Sequence, residues 1–144
     1  MVDPLGFKDF MGRLFTLEQQ IAAEIPALNA YRWWEPQMAF PAVFNRLAPG
    51  SSTWPDPCTH RETVQLLVTI SVQPTQHAGG DMAVIEEYID TALNILDPAL
   101  NGTGAMGTRH AVRDGIRPVN EPFGDAHIRG IAFPIAVQFD RHIS

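Results

Sequence analysis

The chain is 144 residues long, with 45% apolar and 18% charged side chains and a formal net charge of −6. That length suits one domain, able to bury roughly two-thirds of the surface its unfolded chain exposes, and the apolar content excludes wholesale disorder. The acidic balance argues against a broad nucleic-acid-gripping surface, which needs Lys and Arg to neutralise phosphates, but leaves room for a surface that nucleic acid passes without sticking.

No apolar run approaches the roughly 18 residues that span a bilayer. The N-terminal MVDPLGFKDF has an early Asp3 and no hydrophobic signal core, so a cleaved secretory signal is not expected. Cys58 is the only cysteine, which excludes an internal disulfide and fits a reducing compartment. There is no internal repeat and no low-complexity tract.

Along the chain, Phe7, Phe10, Met11, Leu14, Phe15, Leu17, Ile21 and Ile25 recur at three- and four-residue steps, the spacing of one apolar helix stripe. Asp9, Arg13, Glu18 and Glu24 are expected largely elsewhere on the cylinder. Pro26 should end the helix, because the residue before a proline is disfavoured in the α region. The stripe reads as core; its polar face lacks the Lys richness of a surface-bound membrane anchor. Short strands are expected around Ala30–Trp34 and Ala42–Leu47. The stretch about 48–58, APGSSTWPDPC, has the residue types of loops, and is expected to project with little regular structure. Trp54 within it either folds back on the body or is buried by a partner.

Val64, Leu66, Val68, Ile70 and Val72 alternate with polar residues from Arg61 to Gln73, the pattern of a half-buried antiparallel strand. A second helix is expected from Asp81, in an N-cap or first-turn position, to Leu96, with Gly79-Gly80 loosening its connection and Asp97-Pro98 ending it. A flexible link about 99–107 follows, then strands around Thr108–Ile116 and His127–Phe139, separated by a link from Arg117 to Asp125. Pro134 cannot donate to a ladder, so an edge or bulge is expected there. The sum is one α+β domain over 1–144: a mainly antiparallel sheet of about four to five strands with two principal helices packed on it.

The residues of chemical interest have ordinary explanations. Gly102, Gly104 and Gly107 match a dinucleotide-loop spacing but follow a helix and precede a strand, the wrong context for meeting pyrophosphate. Cys58 and His60 have no second thiol and no spaced histidine to complete a metal site. Glu86, Glu87 and Asp90 suit a solvated helix face. Ser51 and Ser52 lack a nucleophile-elbow setting. The expectation is a non-enzyme with no cofactor, no metal and no catalytic residues. Arg109, Arg113, Arg117 and Arg129 gather on the late strands; a surface meeting an acidic partner or DNA is one reading, cross-strand ion pairing the other.

Read whole, the order of segments resembles the tail terminator (minor tail, or tail-completion) proteins of long-tailed bacteriophages. The resemblance is carried by the helix ending at Ile25-Pro26, the Pro41-Ala42-Val43-Phe44 strand start and His60-Arg61-Glu62-Thr63-Val64 leading the long strand. The Met82–Leu96 helix and the closing Gly130-Ile131-Ala132-Phe133-Pro134-Ile135 strand complete it. It covers nearly the whole chain and rests on layout, none of these motifs being specific. It implies a ring, usually of six subunits, that caps the finished tail tube in the virion, stops its polymerisation and docks the neck. The implied partners are copies of the chain, the tail tube protein and a head–tail stopper or connector, with DNA passing an acidic lumen and assembly in the host cytoplasm. Candidate assembly contacts are Trp54, Arg109, Arg113 and Arg129. A neck stopper or connector, and a small ligand-binding or enzymatic α+β domain, are the alternatives.

Overall fold

Phe10, Met11, Leu14 and Ile21 lie on one stripe of the first helix, α1 (Phe7–Glu24), and all four are buried. Burying each such side chain is worth roughly 1.5–3 kcal/mol, which fixes the helix by packing more than by propensity. Ile25 is its extended C-cap, directly before Pro26. Glu18 departs from the expectation: it is fully buried. Its position explains why, since Met11, Leu14, Glu18, Ile21 and Ile25 run at alternating three- and four-residue steps down a single stripe.

In the computed structural model, residues 6–35, 37–72, 78–101, 110–123 and 126–142 are described. The strands are β1 (Asn29–Ala30), β2 (Ala42–Asp56), β3 (Thr59–Val72), β4 (His110–Arg113), β5 (Arg117–Phe123) and β6 (Ala126–His142); α2 (Ala78–Asn101) lies between β3 and β4. The sheet order is β1-β2-β3-β6-β4, with β5 also on β6. Only β1–β2 is parallel. The class is α+β as expected, but the six strands among the described residues already exceed the expected four to five.

β5 is the strand that the sequence concealed. Pro118 and Pro122 suggest a link, yet both stand in a strand paired with β6, from Arg117 opposite Ala132 to Phe123 opposite Ala126. An edge strand tolerates prolines because one row of its N–H groups meets no ladder. β4 and β5 together run antiparallel along β6, interrupted where Asp114, Gly115 and Ile116 oppose Phe133 and Pro134. This is the irregularity expected at Pro134: the Asp114 N–H donates to the Pro134 carbonyl at 2.8 Å, and Gly115 takes the left-handed φ of 72°.

The stretch 48–58 is ladder, not loop. β2 continues to Asp56 and turns at Pro57-Cys58, where Asp56 Oδ1 accepts from the Cys58 N–H at 2.8 Å. The register shifts between Ala48 and Ser51 and between Thr53 and Asp56, at the two places where Pro49 and Pro55 remove donors. Because β6 follows β3 out to His142 opposite Thr59, this arm is three strands wide. Ser52 Oγ donates across it to Glu62 Oε2 at 2.6 Å. Non-local pairing has overridden local composition.

α2 likewise exceeds its expected bounds, running through Pro98 to Asn101. Pro98 falls in the last turn, where it forfeits one hydrogen bond, while buried Leu96 and Leu100 on either side hold that turn to the sheet. Residues 102–107 of the expected link lie outside the described residues. The Glu86, Glu87 and Asp90 side chains are exposed, as a solvated face requires.

The two helices share one face of the sheet. Under them, Val43, Leu66, Val68, Ile70, Ile131, Phe133, Ile135 and Val137 form the main core. Phe139 receives Phe7 and Phe10 edge-on, at 5.7 and 6.1 Å between ring centroids. The opposite face holds a smaller core of Ala42, Phe44, Val119, Ile128 and Ala132, covered by Met38 with Tyr31 and Phe40. The Asn29 amide ties this covering segment down, donating to the carbonyls of Ala39 and Pro41 at 3.2 and 3.3 Å.

Candidate assembly surface

Two of the four candidate contacts are engaged within the chain. Arg113, on β4, grips Asp97 near the end of α2 with two bonds of 2.7 and 3.1 Å and donates to the Gly115 carbonyl. Arg129, on β6, donates to Asp81 in the first turn of α2 at 2.8 Å. The pair pins α2 to the sheet at both ends. Arg109 lies outside the described residues, and Trp54 stands in β2 near the tip of the arm.

The Asp81 side chain is only 6% exposed, so removing Arg129 takes a counter-charge away from a nearly buried carboxylate. Arg129→Ala is therefore expected to cost roughly 2 kcal/mol, a value discounted for the partial exposure of the arginine. Urea denaturation checks it, with Arg113→Ala expected to cost less because both partners at that end are more exposed. An equal loss at the two ends would contradict the burial argument.

A different surface is the more apolar one. Trp33, Trp34 and Leu47 are exposed, Leu47 by 60%, and with Asn45 and Arg46 they line a recess of about 350 Å³ at the β1–β2 edge. Trp33 also touches Phe7 at 6.4 Å between centroids. At the opposite edge Val112 and Ile116 are exposed beside the Gly115 bulge. The sequence held one clue to the first patch: two adjacent tryptophans on an extended segment point to opposite sides, so one core cannot bury both. Met82 and Val84 are also exposed on α2, on different sides of the helix.

Beneath the recess lies the most perturbed titratable group. Asn45 Nδ2 donates to Glu18 Oε1 at 2.7 Å and to the Arg32 carbonyl at 2.9 Å. Glu18 Oε2 and Asn45 Oδ1 are buried without a partner. Burial pushes the Glu18 carboxyl up to about 8, against a smaller lowering by the Asn45 bond. A neutral acid suits this setting, since a proton on Oε2 removes the charge that burial penalises. Perturbed carboxyls often mark catalytic sites. Glu18 is fully buried, however, so it reads as a polar strut joining α1 to β2.

Elsewhere, Lys8, Asp9, Gly12, Arg13, Thr16 and Arg32 line a mixed-charge cleft of about 430 Å³ along the outer side of α1. On the second face Arg46 pairs with Glu121 and lies over the Phe44 ring. Cys58 is exposed at the hairpin turn, and His60 Nδ1 sits 3.3 Å from Glu62. Among the described residues no three His, Cys, Asp or Glu side chains cluster as metal ligands, and no helix is long and apolar enough to cross a membrane. The chain matches no protein-family model and no curated protein.

Proposed function

We propose that this chain is a structural assembly protein whose copies join edge to edge into a closed ring. Within that class it is read as a tail terminator of a long-tailed bacteriophage, one that caps the finished tail tube and presents a docking surface to the neck. The observation that carries the first step is an open sheet whose two terminal edges both bear exposed apolar side chains, Trp33, Trp34 and Leu47 at one and Val112 and Ile116 at the other. A ring closes when each copy offers one patch to a different patch on the next, and open sheet edges are natural places for such contacts. The second step is supported by the order of segments along nearly the whole chain. The net charge of −6 per copy suits a lumen that repels DNA and lets it slide.

The test is tube polymerisation. Purified tail tube protein assembled with this chain is expected to give short tubes bearing a ring at one end in electron micrographs, and longer uncapped tubes without it. Tubes of unchanged length with bare ends would reject the terminator reading, and binding to isolated head connectors instead would transfer the role to a neck stopper.

A further inference from the structure

The two apolar edges lie at the same height on the sheet. Across it, Leu47 pairs with Leu66, Leu66 with Ile135, and Ile135 with Arg113. The adjacent row runs Ala48, Gln65, Ala136, Val112. Two rows away on the other side, Asn45 leads through Val68 to Phe133, opposite the bulge containing Ile116. Trp34 belongs to the same level, since its N–H donates to the Asn45 carbonyl.

The edges also complement each other in backbone. β1 covers β2 only at Ala42 and Val43, and the last bond to that side among the described residues is Trp34 to Asn45. From Leu47 to Ser51 the outer edge of β2 meets no strand among the described residues; Pro49, at the register shift, has no N–H to give, so Leu47 is the residue of this edge that can both donate and accept. At that height the far edge is β4, whose sequence His110–Arg113 has no proline, whereas in β5 Pro118 stands level with Val43 of the covered part of β2 and Pro122 lies beyond it. Since β2 and β6 run the same way and β4 runs against them, the two edges meet antiparallel. Charge agrees: exposed Glu35 adjoins Trp34, exposed Arg117 adjoins Ile116, and neither has an ion-pair partner among the described residues.

We infer that the outer edge of β2 at Leu47–Ser51 in one copy receives β4 of the next copy as an antiparallel strand, with Val112 beside Ala48 on the face away from the helices, Leu47 opposite Arg113 on the helix face, and Trp33 and Trp34 level with Ile116. The inference rests on the ring reading and deepens it by naming both faces of the contact. A rotation about an axis along the strands keeps height, so edges matched in height are what a closed ring requires and a spiral does not. Main-chain bonds would supply the register and the apolar side chains the closure.

Disulfide cross-linking tests it in the full chain with Cys58→Ser as background. Ala48 and Val112 share a row and a face, so mixing the Ala48→Cys and Val112→Cys proteins under mild oxidation is expected to give a covalent heterodimer. Each alone is expected to stay uncrosslinked, and the double variant to give a ladder of multimers. Adding Leu47→Arg, which sets a like charge opposite Arg113 of the next copy in the shared row, is expected to lower heterodimer yield roughly tenfold. Circular dichroism verifies that each variant is folded. A mixture without heterodimer, whether monomeric or assembled through another face, overturns the inference. So does self-linking of either single variant to the same extent, which marks a two-fold contact. No tube protein is present, so heterodimers in a protein that fails to cap tubes would reject the terminator role alone. Capping without heterodimers would reject only this contact.

Discussion

Gly130→Ala is expected to lower stability by about 3 kcal/mol or more, or to prevent folding, a loss on the scale of overpacking where no flexible side chain can yield. Gly130 sits in β6 opposite Ser71 of β3 and Val119 of β5. A Cβ there would lie 2.0 Å from the Ile70 carbonyl oxygen, 2.7 Å from Ser71 Cα and 2.9 Å from the Ile70 carbonyl carbon. All three are backbone atoms, so relief requires β3 and β6 to separate. Those strands carry Ile70, Ile131 and Phe133 into the main core, and the damage would spread through it. For a chain of this size the melting temperature should fall by about 10 °C. Gly12→Ala is the matched control. It lies inside α1 with nothing within 4 Å of the added methyl, and is expected to be neutral or to stabilise by about 0.5–1 kcal/mol. Equal melting temperatures for Gly130→Ala and the parent would contradict the close approach of β3 and β6.

What the sequence revealed and what it hid follow from the range of the forces involved. α1 was legible because its stripe and Pro26 are local, and β3 because its alternation is uninterrupted by proline. The arm was not legible, because Pro49, Gly50 and Pro55 are loop residues in isolation and become ladder only through partners on β3 and β6. β5 was hidden by prolines that an edge tolerates. For the surface, one alternative reading of the late arginines was cross-strand ion pairing; Arg113 and Arg129 do form ion pairs, but with α2 and not across strands. Their partners, though, are 16 and 48 residues away on α2. Separations of that kind leave no local pattern. The apolar edges escaped attention for a related reason: exposure of Leu47, Val112 and Ile116 depends on which strands end the sheet, which is a property of the topology.

Glu18 is the exception, a missed residue whose signal was local. Its place on the stripe marks it as buried, and burial has a consequence in pH. The folded chain holds the Glu18 proton up to about pH 8, whereas the unfolded chain releases it near the ordinary value of 4.5. Between these values the folded state binds more protons than the unfolded state. Stability contributed by the neutral acid is thus complete below 4.5 and is lost as pH rises to 8, at up to about 1.4 kcal/mol per pH unit. Across the window the loss is on the order of a few kcal/mol. Glu18→Gln keeps the shape and lets Oε1 accept from Asn45 Nδ2, with no proton to lose. Urea midpoints for the two proteins are expected to agree near pH 5 and to separate steadily towards pH 8, where the glutamine variant should be the more stable by roughly 3 kcal/mol. Parallel profiles would mean that Glu18 is ionised in the fold, and the strut between α1 and β2 would then be a buried charge held by a single amide. The distinction bears on assembly as well, because Asn45 lines the recess beneath Trp33 and Trp34. A Glu18 charged at high pH would loosen the floor of the very edge that a neighbouring copy is to grip.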